Sequence, residues 1–166
     1  QRQKQRRQRA PCADAGELVA KPRPVTNVRF YICAESEWLD AAKFSVRLGR
    51  MLRRKGHRLL YWTPDADHQG QLNQLMWDYP ADGFLPHRMD PSEPECGIDI
   101  GAGIDWPGHH DVLINLTAEI PEPHARFAHL CEVVPGAATL LDNARDRWRH
   151  YKDRGHPLKR FETDNI

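Results

Sequence analysis

The sequence has 166 residues, of which 40% are hydrophobic and 28% charged, a composition typical of a globular protein with one hydrophobic core. It contains no run of about eighteen apolar residues, so no transmembrane helix is predicted. The basic start QRQKQRRQR lacks the apolar core and cleavage site of a secretory signal, and we therefore expect a cytoplasmic protein.

The formal net charge of +1 hides an uneven distribution along the chain. Residues 1–24 carry seven Lys or Arg and two acids, residues 25–143 carry ten and seventeen, and residues 144–160 carry seven and two. A protein that follows a nucleic-acid backbone usually spreads positive charge over a whole face. The distribution therefore favours a local anion-binding site over a general nucleic-acid surface.

Residues 1–26 are rich first in Gln and Arg and then in Ala and Pro. They contain too few large apolar side chains to offset the entropy lost on ordering, so we predict a disordered basic extension. Its arginines offer a non-specific contact to nucleic acid, although a solvated tail without a specific role is the simpler interpretation. Residues 27–166 are predicted to form a single α/β domain.

The domain begins with the pattern of a β-α-β unit. The run VRFYICA (28–34) is short, apolar and rich in branched and aromatic residues, which predicts a buried strand. We expect a helix to follow, capped by Ser36, apolar at helical spacing as far as Leu52 and ended by Gly56. RLLYWTP (58–64) predicts a second strand, which should be parallel to the first because a helix connects them.

The rest of the domain continues the alternation less regularly. A second helix is predicted over about 67–78, followed by the short extended segment GFLPH (83–87) and a Gly- and Pro-rich loop over 90–110. Two strands, DVLINL (111–116) and HLCEVV (129–134), and a last helix over about 138–154 complete the domain. The order β-α-β-α-β-β-β-α predicts an α/β fold with a mostly parallel central sheet flanked by helices.

The glycine-rich stretch GIDIGAG (97–103) suggests a phosphate-binding loop at first sight. Such a loop joins a strand to a helix N-terminus and carries a GK[ST] lysine. This stretch has no such lysine and lies in the predicted loop that leads to Trp106. We therefore expect a topology like that of nucleotide-binding proteins without a phosphate loop, and no cofactor.

The sequence shows no recognisable catalytic or metal-binding motif. His109 and His110 directly precede a strand, so they should point to opposite faces, and no third histidine follows at helical spacing. There is no GxSxG, HExxH or CxxC signature beside the other histidines, which are isolated in the sequence: His57, His87, His124 and His129. We expect no catalytic residues and no metal.

The stretch LMWDYPADGFLPH (75–87) is unusually rich in aromatic and apolar residues. The end of one helix does not normally bury so many large side chains against its own sheet. They are Trp77, Tyr79, Phe84, Leu85 and Pro86. Packing in the core is one interpretation. The other is an exposed patch that anchors a partner protein, because Trp and Tyr dominate interface hot spots.

The stretch ARDRWRHYKDRG (144–155) belongs to the last predicted helix. At 100° per residue, one face carries Ala144, Trp148 and Tyr151, and an adjoining stripe carries Arg145, Arg149 and Lys152. Cations beside a partly buried aromatic suit an acidic segment with an aromatic or apolar end group. Two alternatives are a solvated face with extended arginines and single-stranded nucleic-acid binding by base stacking.

Four segments, taken in order, resemble the chi subunit of bacterial DNA polymerase III, a clamp-loader accessory protein: RFYIC, LMW-DYP-DGFLPH, DVLINL, and VVP followed by ARDRWRHYKDRG. The resemblance covers about residues 28–160. It implies a non-enzymatic adaptor subunit of a DNA-directed DNA polymerase complex, whose contact with DNA is mainly indirect. Members of the family bind the psi subunit and the acidic C-terminal tail of single-stranded DNA-binding protein, which ends in a phenylalanine carboxylate.

The resemblance also implies two binding sites. The tail-binding site would comprise Arg145, Trp148 and Arg149, with Val134 as a pocket wall, and the same helix would add Tyr151 and Lys152. Trp148 and Arg149 stand where Tyr and Lys are common in the family, so an aromatic wall and a cation are kept. The psi-binding site would comprise Trp77, Phe84, Leu85 and Pro86. A helicase is a further candidate partner for that face, and its binding would exclude psi.

Overall fold

The computed structural model describes residues 25–78, 84–103 and 110–163, which form a six-stranded parallel sheet with helices on both faces. The elements are β1 (Asn27–Ile32), α1 (Trp38–Arg54), β2 (Leu59–Trp62), α2 (Ala66–Asp78), β3 (Ile98–Gly101), β4 (Val112–Asn115), a 3₁₀ turn (Glu122–Arg126), β5 (His129–Val134), α3 (Ala138–Asp153) and β6 (Leu158–Glu162). The strand order is β3-β2-β4-β5-β1-β6. The predicted α/β class is confirmed, whereas most of the predicted basic extension lies outside the described residues.

Strand β3 occupies part of the segment that was predicted to be a loop. Ile98 and Ile100 are fully buried, and the buried Asp99 carboxylate accepts a 2.5 Å hydrogen bond from Arg88. The strand was missed because it has only four residues, is buried on both faces and lies among glycines, so no apolar alternation marks it. Of the predicted segment GFLPH, residues 84–87 form no strand.

Strand β6 was also missing from the prediction, which ended with the last helix. It pairs in parallel with β1, in the register that places Leu158 beside Val28 and Arg160 beside Phe30. Its sequence LKRFE is mostly charged because β6 is the last strand in the sheet order and most of its side chains reach solvent. A charged edge strand of this kind carries little of the apolar pattern that predicts a strand.

Helices α1 and α2 cover one face of the sheet, where the larger part of the core lies. Helix α1 begins one residue later than a Ser36 cap would place it: its N-cap residue is Glu37, which makes no side-chain cap hydrogen bond. Gly49 lies directly over Tyr61, whose hydroxyl donates a 2.7 Å hydrogen bond to the Ser45 carbonyl of the same helix. A side chain at position 49 would collide with that hydroxyl.

None of the described helices combines the length and the apolar composition that a membrane crossing requires.

Helix α3 packs on the opposite face of the sheet. It covers a second apolar cluster that includes Phe30 of β1, Leu113 of β4 and Leu130 of β5. The helix lies above β5, β1 and β6, since it connects β5 to β6 and both flank β1 in the sheet order. The side chains along its margin therefore face the edge of the sheet that β6 forms.

Candidate functional site

A groove of about 350 Å³ lies between α3 and strands β1 and β6. Strand β1 contributes Phe30 and Ile32 to its floor. Helix α3 contributes a wall formed by Leu141, Ala144 and Trp148. The groove is thus mainly apolar, lies between a helix and a sheet edge, and is large enough to accommodate one or two side chains of a ligand.

The aromatic wall of the groove is held by the core. The ring centroid of Trp148 lies 5.2 Å from that of Phe30, with the two planes inclined at 59°. Phe30 is almost completely buried, whereas Trp148 is half-buried and presents part of its indole to the groove. Tilted aromatic pairs at this distance stabilise each other beyond the area they bury, so the indole forms a fixed surface.

Three arginines line the groove around its apolar surface: Arg145 and Arg149 from α3 and Arg160 from β6. Each has a carboxylate neighbour on its own element, at N···O distances of 2.7 Å (Arg145–Asp142), 3.5 Å (Arg149–Asp146) and 3.3 Å (Arg160–Glu162). More than 60% of each side chain in these pairs is exposed. Exposed ion pairs of this kind contribute about 0–1 kcal/mol, so the arginines can turn to an incoming carboxylate at little cost.

Arg160 is the one cation lining the groove that was not among the predicted site residues. Its position depends on β6, which was not predicted, and on the pairing of β6 with β1. The available signal was the spacing of Leu158 and Arg160, which places both on one face of an extended strand. Leu158 packs against the α3 cluster on that face, and Arg160 reaches the groove.

Tyr151 was predicted to belong to the tail-binding site, but the structure places it in the core. It is fully buried, and its hydroxyl donates a 2.6 Å hydrogen bond to Glu132 of β5. Burial, followed by the neighbouring Glu132, raises the pKa of Tyr151. The prediction was wrong because Tyr151 lies on the side of α3 that faces the sheet, whereas Trp148, one turn earlier, lies at the margin of the helix.

Two more of the predicted residues do not line the groove. The Val134 side chain is 1% exposed and packs in the apolar cluster beneath α3. Val134 instead borders a separate cavity of about 200 Å³ at the carboxyl ends of the strands, together with Thr117 and Leu140. Lys152 is exposed but lies outside the residues that line the groove. The structure therefore brings together Arg145, Trp148 and Arg149 of the predicted site, and adds Arg160.

A buried polar cluster fixes α3 on the sheet. Glu132 has no exposed surface and accepts hydrogen bonds from Tyr151 and from the Asn115 amide, the latter at 3.0 and 2.8 Å. An Arg147 Nη atom lies 3.3 Å from the same carboxylate, and Arg147 also donates to the Ala118 carbonyl at 3.0 Å. Burial raises the pKa of Glu132, although Arg147, Tyr151 and Asn115 act in the opposite direction. These bonds set the rotation of α3 and so direct Arg145 and Trp148 outward.

The aromatic stretch at the end of α2 is exposed in part. Trp77 is 59% and Phe84 is 51% exposed, and their rings stack with centroids 4.4 Å apart. Pro86 is exposed beside them. Leu85 is only 6% exposed and belongs to the core, so its assignment to an exposed binding face was wrong. The neighbouring Tyr79 lies outside the described residues. We call Trp77, Phe84 and Pro86 the aromatic patch.

The comparisons with known proteins agree with one another. A family model described as "DNA polymerase III chi subunit, HolC" matches residues 25–159. The DNA polymerase III subunit chi of Pseudomonas aeruginosa is 27% identical over 142 residues, which cover 86% of this chain and 100% of that protein. The subunit of the same name from Haemophilus influenzae is 25% identical over 143 residues, covering 83% and 96% respectively. That of Escherichia coli is 28% identical over 110 residues, covering 63% and 74%.

Proposed function

The chain belongs to the DNA polymerase III chi subunit family of DNA replication, and we propose that it acts there as a non-catalytic adaptor. The aromatic patch binds the psi subunit and so attaches the protein to the clamp loader. The groove beside α3 binds the acidic C-terminal tail of single-stranded DNA-binding protein. The mechanism is binding alone: two linked contacts of modest strength raise the effective concentration of the polymerase at coated template.

The observation that carries the tail assignment is the arrangement of three arginines around an apolar groove. Arg145, Arg149 and Arg160 supply planar guanidinium groups, which bind carboxylates through paired hydrogen bonds. Phe30 and Trp148 supply an apolar surface on which a terminal aromatic side chain can pack. An acidic peptide that ends in phenylalanine offers both the carboxylates and the ring.

The exposed stacking of Trp77 on Phe84 supports the psi assignment. Two large aromatic side chains, each more than half exposed, form the kind of anchor on which interface energy concentrates. We place a helicase at the same patch as a competing partner, which would displace psi because both would cover the same rings. Leu85 takes no part, since it packs beneath the patch in the core.

The separation of the two sites supports simultaneous binding. The aromatic patch lies at the C-terminal end of α2 and just beyond it, and α2 packs against β3 at one edge of the sheet. The groove lies at β6, which is at the other edge. Partners on opposite edges do not compete for the same surface, and an adaptor requires this arrangement.

A second candidate function is direct binding of single-stranded DNA in the groove. The observation in its favour is that the half-buried Trp148 lines the groove together with Arg145 and Arg149, because a base can stack on an indole while arginines contact phosphates. The surplus of acidic residues over residues 25–143 opposes it, since the body of the domain repels a polyanion. We therefore favour the peptide.

The experiment is a fluorescence anisotropy titration of the full chain at physiological salt with three labelled ligands. The first is an acidic peptide that ends in phenylalanine with a free carboxylate. The second is the same peptide with an amidated C-terminus, and the third is a single-stranded oligonucleotide. We expect the free acid to bind, the amide to bind more weakly and the oligonucleotide to bind least. Tight binding of the oligonucleotide without binding of the free acid would overturn the proposal.

A further inference from the structure

Three metal-ligating side chains meet at the amino ends of neighbouring strands. His57 precedes β2, Asp111 precedes β4 and His129 begins β5, and these strands are consecutive in the sheet. One nitrogen or oxygen atom from each residue lies within 4.8 Å of those of the other two, and all three side chains are half-buried. We propose that His57, Asp111 and His129 form a binding site for a divalent transition-metal ion, best suited to Zn²⁺.

The distances in the cluster suit a small cation. The Nδ1 atom of His57 lies 3.1 and 3.2 Å from the two carboxylate oxygens of Asp111. The rings of His57 and His129 have centroids 5.5 Å apart and are nearly perpendicular, at 80°. Bonds of about 2.0–2.2 Å to a tetrahedral ion separate its ligand atoms by roughly 3.3–3.6 Å. His57 and Asp111 are already this close, and the ligand atom of His129 lies within 4.8 Å of theirs, so closing the site requires a shift of at most about 1.5 Å.

The backbone around the cluster orients the ligands. The backbone N–H of Arg58 donates a 2.9 Å hydrogen bond to Oδ2 of Asp111, and the N–H of His129 donates one of 2.9 Å to the Asp111 carbonyl. The carbonyl of His57 accepts a 2.8 Å hydrogen bond from the Arg53 guanidinium. Such contacts around a metal site hold its ligands in place and strengthen binding.

The surroundings of the cluster shift the pKa values of two of its side chains. Burial, together with the neighbouring His57, lowers the pKa of His129 despite the opposing effect of Asp111. Partial burial favours the neutral form of Asp111, but the Arg58 N–H and His57 outweigh it and lower the pKa of this carboxyl.

The ligand set and its surroundings indicate which ion would bind. Two imidazoles and one carboxylate suit Zn²⁺ and related ions, whereas Mg²⁺ and Ca²⁺ prefer oxygen ligands alone. Three cations lie nearby: Arg53 donates to the His57 carbonyl and Arg58 pairs with Glu95, but the charge of Arg29 acts on His129 and opposes the ion. Three protein ligands leave a fourth tetrahedral position for water or for a side chain of a partner protein.

The expectation of no metal, drawn from the sequence, rested on the isolation of each histidine along the chain. His57 and Asp111 are 54 positions apart, so no short motif could contain them. Parallel strands that are distant in sequence but adjacent in the sheet bring their amino ends together, and this produces the cluster. The adjacent His109, which drew attention in the sequence, lies outside the described residues.

A second group of histidines provides a matched control. The rings of His150 and His156 lie 6.3 and 5.9 Å from that of His124, centroid to centroid. The Nδ1 atom of His124 lies 2.7 Å from the Pro121 carbonyl oxygen and is engaged in a hydrogen bond with it. Substitution of His150 removes a half-buried histidine from this group and leaves the proposed site intact.

The test is a titration of the tag-free full chain with Zn²⁺ in competition with a chromophoric chelator, for the original protein and for Asp111→Asn, His129→Gln and His150→Ala. We expect one Zn²⁺ per chain, about tenfold or greater loss of affinity for the first two variants, and no loss for His150→Ala. Asparagine at 111 can still accept the Arg58 hydrogen bond, which keeps that variant folded.

Thermal unfolding with and without Zn²⁺ supplies a second readout. Zn²⁺ should raise the melting temperature of the original protein and of His150→Ala, but not that of Asp111→Asn, because only an ion bound to the folded state stabilises it. Unchanged affinity in both Asp111→Asn and His129→Gln, or a loss confined to His150→Ala, would overturn the proposal.

Discussion

The hydroxyl of Tyr151 donates a 2.6 Å hydrogen bond to Oε1 of Glu132, and neither residue has exposed surface. The bond joins the last turn of α3 to the middle of the sheet. Arg147 reaches the same carboxylate from one turn earlier on the helix. The orientation of the exposed groove residues therefore depends on a polar cluster that solvent does not reach.

Replacement of Tyr151 by Phe should lower the free energy of unfolding by about 1–3 kcal/mol, because the buried Glu132 carboxylate loses a donor. Urea-induced unfolding measures this change. Affinity for the acidic peptide should stay the same, since Asn115 and Arg147 still contact Glu132 and hold the orientation of α3, and the Tyr151 ring lines no part of the groove. Reduced affinity at unchanged stability would instead indicate direct contact with the ligand.

Replacement of Arg145 by Ala should weaken binding of the acidic peptide by about 1.5–3 kcal/mol, the worth of a charge-assisted hydrogen bond. Peptide anisotropy measures the effect. Lys152→Ala is the matched control, because it removes one positive charge from the same helix outside the groove. If the two variants lose equal affinity, long-range attraction rather than contact explains the binding.

Arg160→Ala tests whether β6 belongs to the binding site. Arg160 lines the groove, and we expect its loss to weaken peptide binding by about 1.5–3 kcal/mol, as for Arg145. Lys159→Ala is the control, since its side chain points to the opposite face of the same strand. Calorimetric titration of both variants should show a loss for Arg160→Ala alone. Equal affinities for the two variants would remove Arg160 from the site.

Trp77→Ala should abolish association with psi while leaving the folding stability almost unchanged, because the indole is 59% exposed. Co-purification with psi and thermal unfolding measure the two effects. Leu85→Ala is the contrasting variant: this side chain is buried, and its truncation should cost about 2–5 kcal/mol of stability. A large drop in melting temperature for Trp77→Ala would show that the indole supports the fold.

Stability should decrease as the pH falls below the ordinary histidine pKa of about 6.5. Burial lowers the pKa of His124, and the nearby His156, His150 and Arg154 lower it further against the opposing Pro121 carbonyl. The unfolded chain therefore takes up this proton more readily than the folded chain. The stabilisation is complete above pH 6.5 and is lost as the pH falls through the folded-state pKa.

Urea unfolding at a series of pH values measures this dependence. One such group changes the free energy of unfolding by at most about 1.4 kcal/mol per pH unit. His129 and His156 act with the same sign, because burial lowers their pKa values too. His124→Gln should therefore reduce the slope without removing it. An unchanged slope in this variant would contradict the assignment.

The sequence predicted the elements that carry a strong apolar pattern. Helix α3 was placed to within one residue, and the predicted strand HLCEVV coincides with β5. It did not predict β3, which lies among glycines, or β6, which is charged. A strand buried on both faces has no alternation, and an edge strand exposed to solvent has little apolar content, so neither shows the usual signal.

The candidate groove could be predicted only in part for the same reason. Helical spacing placed Arg145, Trp148 and Arg149 at one margin of α3, and the structure brings them together in the groove. Spacing alone did not separate Tyr151 from that margin, because its partner Glu132 lies on a strand 19 residues away in sequence. Pairing between distant segments decides which face of a helix is buried, and a local pattern does not contain that information.

The position of β1 in the sheet has a consequence for synthesis of the protein. Its two neighbours are β5 and β6, so the first of the described strands to be synthesised pairs only with the last two. Until then Phe30 has neither the sheet nor α3 to cover it, and the groove lacks Arg160. Such late pairing slows folding and leaves an apolar strand open to aggregation or to chaperones. The groove is consequently completed last, when β6 pairs with β1 and brings Arg160 into place.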